Sequence, residues 1–125
     1  MIKGVGVDLV ELKRFQDLLE KGKDRFINRY FTADEIAYCD NKMKRHIHYA
    51  GKFAAKEALY KALHLTWKKG FQWKHISINN NQDGVPEAII SDTVKVIARK
   101  QLINAIHLSI SHSNEYAVAF VILTD

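Results

Sequence analysis

From about Arg45 to Leu63 the chain repeats apolar residues at helical spacing, and the repeating residues are small: Ile47, Ala50, Ala54, Ala58 and Ala62. A helix face made mostly of alanine lets a sheet approach closely, so this segment is expected to be a long helix packed on strands. The first candidate strand suits that role. Ile2 to Val10 alternates, with Val5, Val7 and Leu9 on one face and Gly4, Gly6, Asp8 and Val10 on the other. Glycine at minus two and minus four strips the face that carries Asp8, so a ligand or another element can come near its carboxylate.

The other segments fill in around this pair. Glu11 to Leu19 carries a helical stripe of Leu12, Phe15, Leu18 and Leu19, which Gly22 is expected to break before a basic segment from Lys23 to Arg29. Thr32-Ala33-Asp34-Glu35 has capping-box spacing and predicts a helix from Ala33 to about Cys39. Short strands are predicted over Phe71 to Ile78 and Glu87 to Ile90, with turn chemistry at Asp83-Gly84-Val85-Pro86. Ser91 is placed to cap a helix through about Lys100, and Ala105 to Ser111 and Glu115 to Leu123 read as two antiparallel strands. The mixture of helices and turn-linked strands predicts an α+β fold, with a small, mostly antiparallel sheet packed on one long helix.

With 125 residues, 47% of them apolar, the chain has the size and composition of one domain over residues 1–125. Its longest unbroken apolar run, Tyr116 to Leu123, is far short of the roughly 20 residues of a membrane helix. No basic-then-apolar leader precedes the first strand, and the single Cys39 excludes an internal disulfide or a multi-cysteine zinc site. A cytoplasmic protein with no membrane partner is expected. The formal charge of +5 points to an anionic partner. From Asn41 to Gln82 there are nine Lys or Arg residues and a single carboxylate, Glu57. That run is either a solvated basic face or a channel for phosphates.

Several residues have the right types for chemistry. Glu57 and Lys61 lie four apart on the long helix, opposite the alanines, a spacing that ordinarily means a surface ion pair. Mg²⁺, however, takes one or two carboxylates and leaves the rest of its shell to water and phosphate, which Asp8 plus Glu57 would suit. Lys61 would then neutralise phosphate oxygens. In His107-Leu108-Ser109-Ile110-Ser111-His112, the residues Ile106, Leu108 and Ile110 turn inward and His107, Ser109 and Ser111 outward. Ser111 and His112 are adjacent on a strand, point to opposite sides, and cannot share a proton as a nucleophilic dyad. The outward row is either the polar face of a hairpin or a set of phosphate contacts. His46-x-His48 lacks a third metal partner.

Taken together, these blocks resemble one family. Gly4-x-Gly6-x-Asp8 with Glu11 and Arg14, Gly51-Lys52-Phe53-Ala54-Ala55-Lys56-Glu57-Ala58 with Lys61-Ala62, Gly84-x-Pro86, and His107-x-Ser109-Ile110-Ser111-His112 with Tyr116-Ala117 follow in order. The chain resembles the holo-[acyl-carrier-protein] synthases, the small trimeric class of 4′-phosphopantetheinyl transferases. The resemblance implies that a serine of apo acyl carrier protein attacks the β-phosphorus of coenzyme A, in fatty acid biosynthesis. It implies Asp8 and Glu57 as Mg²⁺ ligands, and Glu57, Lys61 and His112 as catalytic residues. Lys52, His107, Ser109, Ser111 and His112 would hold coenzyme A, and Arg14, Arg25 and Phe26 the acidic helix of the carrier protein. A homotrimer with its active site between subunits is implied as well. At the position of Lys52 relatives commonly carry Arg, so the charge is kept and the bidentate fork is lost. The alternative from composition alone is a small basic nucleic-acid-binding module, for which two Trp and five Tyr could provide stacking.

Overall fold

The computed structural model describes residues 1–125, the side chain of Lys23 aside. In chain order the elements are β1 (Ile2–Glu11), α1 (Leu12–Tyr30), α2 (Ala33–Asp40), α3 (Arg45–Ala62), a 3₁₀ turn (Trp73–His75), β2 (Ile76–Asn80), β3 (Pro86–Ile90), α4 (Asp92–Lys100), β4 (Ala105–His112) and β5 (Tyr116–Thr124). The main sheet is antiparallel with strand order β1-β5-β4, and β2 and β3 form a separate antiparallel hairpin. The fold is α+β, with α3 against the inner face of the main sheet.

The glycines of β1 are there for α3. A Cβ on Gly6 would lie 1.9 Å from the Ala58 carbonyl oxygen, and one on Gly4 would lie 2.6 Å from that of Ala62. Two strand residues advance about 6.6 Å and four helix residues about 6 Å, so Gly4, Gly6 and Asp8 step in time with successive turns of α3. Backbone therefore touches backbone at Gly4 and Gly6, and Asp8 comes level with the turn that carries Glu57. Of the two readings of the bare strand face, a packed element is the one found at the glycines.

Three expectations change. Gly22 does not end the first helix: α1 runs unbroken to Tyr30, so Lys23 to Arg29 are helical. The stripe of Phe15 and Leu19 continues in phase through Phe26, Ile27 and Tyr30, and the rings of Phe15, Phe26, Tyr30, Phe31 and Phe53 pack together. That packing offsets the roughly 1 kcal/mol that glycine costs a helix. The predicted strand from Phe71 begins only at Ile76, because Gln72 N donates to His75 Nδ1 and Trp73 is drawn into a stack with Tyr60 and Tyr30. Ser91 stands at the N-cap of α4, yet its hydroxyl donates to the His75 carbonyl rather than capping.

Other expectations stand. The capping box at Thr32 is complete, with Glu35 N donating to Thr32 Oγ1 and Thr32 N to Glu35 Oε1. Asn81 Oδ1 accepts from Asp83 N and Val85 N, and Gly84 turns the chain at φ 80°. Helix α3 is more central than a single alanine stripe implies. Besides Ala50, Ala54, Ala58 and Ala62 it buries Tyr49, Lys52, Ala55, Lys56 and Leu59. The basic run from Asn41 to Gln82 is therefore no uniform solvated face, since Lys52 and Lys56 are inside.

Candidate active site

Where β1 leaves α3, a cleft of about 740 Å³ opens between them and α1. Asp8 and Glu57 both line it, with Arg14, Phe15, Phe53 and Tyr116. Lys61 Nζ donates to Asp8 Oδ1 at 2.9 Å and to the Val7 carbonyl at 3.1 Å. The i,i+4 spacing of Glu57 and Lys61 thus does not make the ordinary surface pair: the lysine reaches across to the strand. Glu57 is half-buried, and its pKa is raised, first by burial and then by the Asp8 carboxylate, against an opposing pull from Lys61. A carboxylate whose ionisation is made costlier by burial and by a second carboxylate, both open to a cleft, is an arrangement that could hold a hard cation. Among the described residues no group of three or more His, Cys, Asp or Glu is placed to hold a metal.

A second cleft of about 280 Å³ lies on another side of α3, lined by Tyr38, His48, Lys52, Asn80, Gly84, Pro86 and His112 among others. Lys52 is 4% exposed, and its ammonium donates to the Ile78 carbonyl and, at 2.6 Å, to Asn80 Oδ1. It also sits 4.5 Å from the Tyr38 ring, with Lys42 4.6 Å from the same ring. Burial lowers the pKa of Lys52, the nearby Cys39 and Glu35 opposing. The pKa of His48 is lowered by burial and by Lys42, His112 and Lys52 around it. The cleft thus combines an apolar wall of Ile47, Pro86 and Ile110 with the basic groups of His48 and His112 and the ring of Tyr38, and Lys52 stands in the wall rather than reaching into it.

The remaining residues singled out from sequence fall in different places. His107, Ser109 and Ser111 are exposed on the outer face of β4 and line neither cleft; His107 Nε2 pairs with Thr124 Oγ1 at 3.1 Å. Within one chain His112 is in the second cleft and Glu57 and Lys61 border the first, so the three are not gathered into one cavity. Arg14 and Arg25 are exposed on α1, while Phe26 is half-buried in the aromatic cluster. Sequence reasoning missed Tyr38 and Asn80, whose proximity to Lys52 arises only from folding. His48 was seen only as half of a metal pair.

Residues 4–121 match the model of the 4′-phosphopantetheinyl transferase superfamily. A holo-[acyl-carrier-protein] synthase of Geobacter sp. (strain M21) is 42% identical over 123 residues, covering 98% of each chain. One from Thermodesulfovibrio yellowstonii is 42% identical over 124 residues, covering 99% of this chain and 100% of the relative. Among solved structures, the holo-[acyl-carrier-protein] synthase of Neisseria meningitidis superposes with a TM-score of 0.85 at 29% identity, covering all of both chains. That of Helicobacter pylori, in complex with coenzyme A, gives 0.83 at 29% identity and covers 96% of this chain and 99% of its own. With the blocks from Gly4 to Tyr116 in order and the carboxylates where the fold brings them, the chain belongs to the 4′-phosphopantetheinyl transferase superfamily.

Proposed function

We propose that this enzyme transfers 4′-phosphopantetheine from coenzyme A to a serine of apo acyl carrier protein, as a holo-[acyl-carrier-protein] synthase of fatty acid biosynthesis. The serine oxygen forms a bond to the β-phosphorus, the pyrophosphate bond breaks, and adenosine 3′,5′-bisphosphate leaves. The observation that carries the reading is the Asp8–Lys61–Glu57 constellation at the mouth of the larger cleft. Asp8 and Glu57 would hold Mg²⁺, which supplies positive charge to the pyrophosphate oxygens. Lys61, half-exposed beside them, donates to phosphate oxygens as charge develops there. Glu57, facing the same cleft, would accept the serine proton directly or through a water.

The second cleft is the nucleotide half of the site, with His112 and His48 facing the 3′-phosphate and Lys52 positioning Asn80. Arg14, Arg25 and Phe26 form the surface for the acidic helix of the carrier protein. The complete site would lie between subunits of a homotrimer, a reading supported by the opening of the two clefts on different sides of α3. The outer face of the sheet supports this: Val5, Val7 and Leu9 are 54%, 52% and 61% exposed beside Phe120 and Tyr116. His107, Ser109 and Ser111 border that face and meet coenzyme A only across the interface. Sedimentation of the active protein should give the mass of three chains, and a fully active monomer would defeat the shared site. A cytoplasmic setting goes with this reading. Among the described residues no helix is long and apolar enough to cross a membrane.

The nucleic-acid alternative finds no support, because the family match and the relatives are phosphopantetheinyl transferases, and of the two tryptophans Trp73 packs against Tyr60 and Tyr30 while only Trp67 is exposed. The deciding experiment is incubation with apo carrier protein, coenzyme A and Mg²⁺. The carrier should gain the phosphopantetheine mass, and no gain with several carrier proteins would refute the assignment.

A further inference from the structure

Outside both clefts, one pair of charges is enclosed completely. Glu35 and Lys56 are each 0% exposed, with Nζ 2.6 Å from Oε1. Glu35 Oε1 also accepts from Thr32 N at 2.8 Å, and Oε2 accepts from Ile78 N at 2.8 Å. Lys56 Nζ donates to the Tyr30 carbonyl and, at 3.3 Å, to that of Trp73, and lies 5.2 Å from the Phe31 ring. The pair thereby ties the end of α1, the start of α2, the 3₁₀ turn, β2 and the middle of α3 to one point.

Two of those ties lead to the active site. Lys56 is the residue before Glu57, so fixing its direction fixes the rotation of α3 that turns Glu57 towards Asp8. Ile78 receives Glu35 at its N–H and offers its carbonyl to Lys52, whose ammonium goes on to Asn80 in the wall of the second cleft. We propose that Glu35 and Lys56 are positioning residues that set both halves of the site at once, the metal carboxylates through α3 and the nucleotide wall through β2. The proposal rests on the assignment of the two clefts given above. Stability alone does not call for such a pair, because apolar side chains of similar volume often replace a buried ion pair at no cost or with a gain. Apolar contacts carry no direction, whereas these hydrogen bonds fix a helix rotation and a strand register together.

The test is the double variant Glu35→Leu/Lys56→Met, which removes both charges together so that neither is left buried alone, although the N–H groups of Thr32 and Ile78 and the Tyr30 carbonyl lose these partners. Three quantities are read on the full chain: the melting temperature, Mn²⁺ affinity by electron paramagnetic resonance, and coenzyme A affinity by calorimetry without carrier protein. Melting should fall only by what the lost backbone hydrogen bonds cost, with the fold intact, while Mn²⁺ affinity falls about ten- to a hundredfold, the usual loss when an orienting partner is removed. Coenzyme A should bind about tenfold more weakly, with Lys52 and Asn80 released. Unchanged metal and coenzyme A affinities in a stable double variant would overturn the proposal. If the double variant does not fold, the near-isosteric Glu35→Gln decides: folded protein with wild-type affinities for both ligands refutes it. Wild-type protein that binds no Mn²⁺, or Asp8→Ala that binds it undiminished, would refute the metal assignment instead. The coenzyme A titration then judges the positioning role alone.

Discussion

Lys56 and Glu57 are consecutive residues of one helix, and their charges are treated in opposite ways. Lys56 is enclosed, and an opposite charge and two carbonyls answer its ammonium inside the chain. Glu57 is half-exposed in a cleft, and its nearest ionic influences are a like charge, Asp8, and a lysine that bonds to Asp8 instead. Burial first lowers the pKa of Lys56, and Glu35 opposes that shift; burial first raises the pKa of Glu57, and Asp8 adds to it. A charge fully answered by its own chain holds the fold. A charge left opposed by its neighbour is available to something that arrives from outside.

The largest effects should come from the unanswered side. Asp8→Ala and Glu57→Gln should each lower turnover by about a hundredfold or more, as removal of one preorganised charge contact at a reacting group does. Glu57→Gln should at the same time melt higher than wild type at neutral pH without divalent cation. The folded pKa of Glu57 lies above its ordinary 4.5, so its contribution to stability is fully present below the unfolded value. It is lost as pH rises through the folded pKa, and the variant's advantage should vanish on acidification below that ordinary value. A Glu57→Gln protein no more stable than wild type at pH 7 would mean that the two carboxylates are not in tension.

On the enclosed side the sign reverses. Lys56→Met alone leaves the buried Glu35 carboxylate without its counter-charge and should cost about 3–5 kcal/mol in urea denaturation. A loss below about 1 kcal/mol would put Lys56 among ordinary surface-type charges and dissolve the contrast with Glu57.

What could be read from the sequence divides along the same line. The Ala50-Ala54-Ala58-Ala62 stripe and Gly4-x-Gly6 were legible because close backbone approach demands small residues, and their spacing matches on strand and helix. Asp8 and Glu57 followed from that frame. The capping box at Thr32 was legible too, yet Glu35 also accepts from Ile78 N, 43 residues away, and pairs with Lys56. A capping glutamate and a core glutamate look alike in sequence. Lys52 and Lys56 looked like members of a basic run because charge counts carry no burial. The continuation of α1 past Gly22 is in the sequence, in the phase of Phe26, Ile27 and Tyr30, because that apolar stripe outweighs the helix penalty of a single glycine.

The second cleft offers a subtler form of the comparison. Lys52 is engaged by Ile78 and Asn80, whereas His112 is exposed at the cleft. His112→Ala should weaken coenzyme A more than its 3′-dephospho analogue, by about 1.5–3 kcal/mol, the range of a charge-assisted hydrogen bond. Lys52→Ala should weaken both substrates alike and lower the melting temperature. Equal losses with both substrates for His112→Ala would remove it from the 3′-phosphate.

The smallest effect belongs to the charges that are neither enclosed nor opposed. Arg14 is exposed on α1, but it lines the same cleft as Asp8 and Glu57, and Arg25 is exposed further along the helix. An exposed arginine contributes little to stability, so charge reversal should leave the melting temperature where it was. Its field still acts on an approaching acidic helix, where opposite potentials speed encounter and set register more than they add affinity. Exposed charges are screened beyond about 8 Å at physiological salt, so carrier-protein use by the wild type should weaken as salt rises. Arg14→Glu or Arg25→Glu should raise the carrier protein's KM a few-fold, on the order of one decade at most for a rim charge, and flatten its salt dependence. The KM for coenzyme A should hold. If coenzyme A binding fell while carrier recognition held, this basic surface would belong to the nucleotide, and the carrier protein would dock elsewhere.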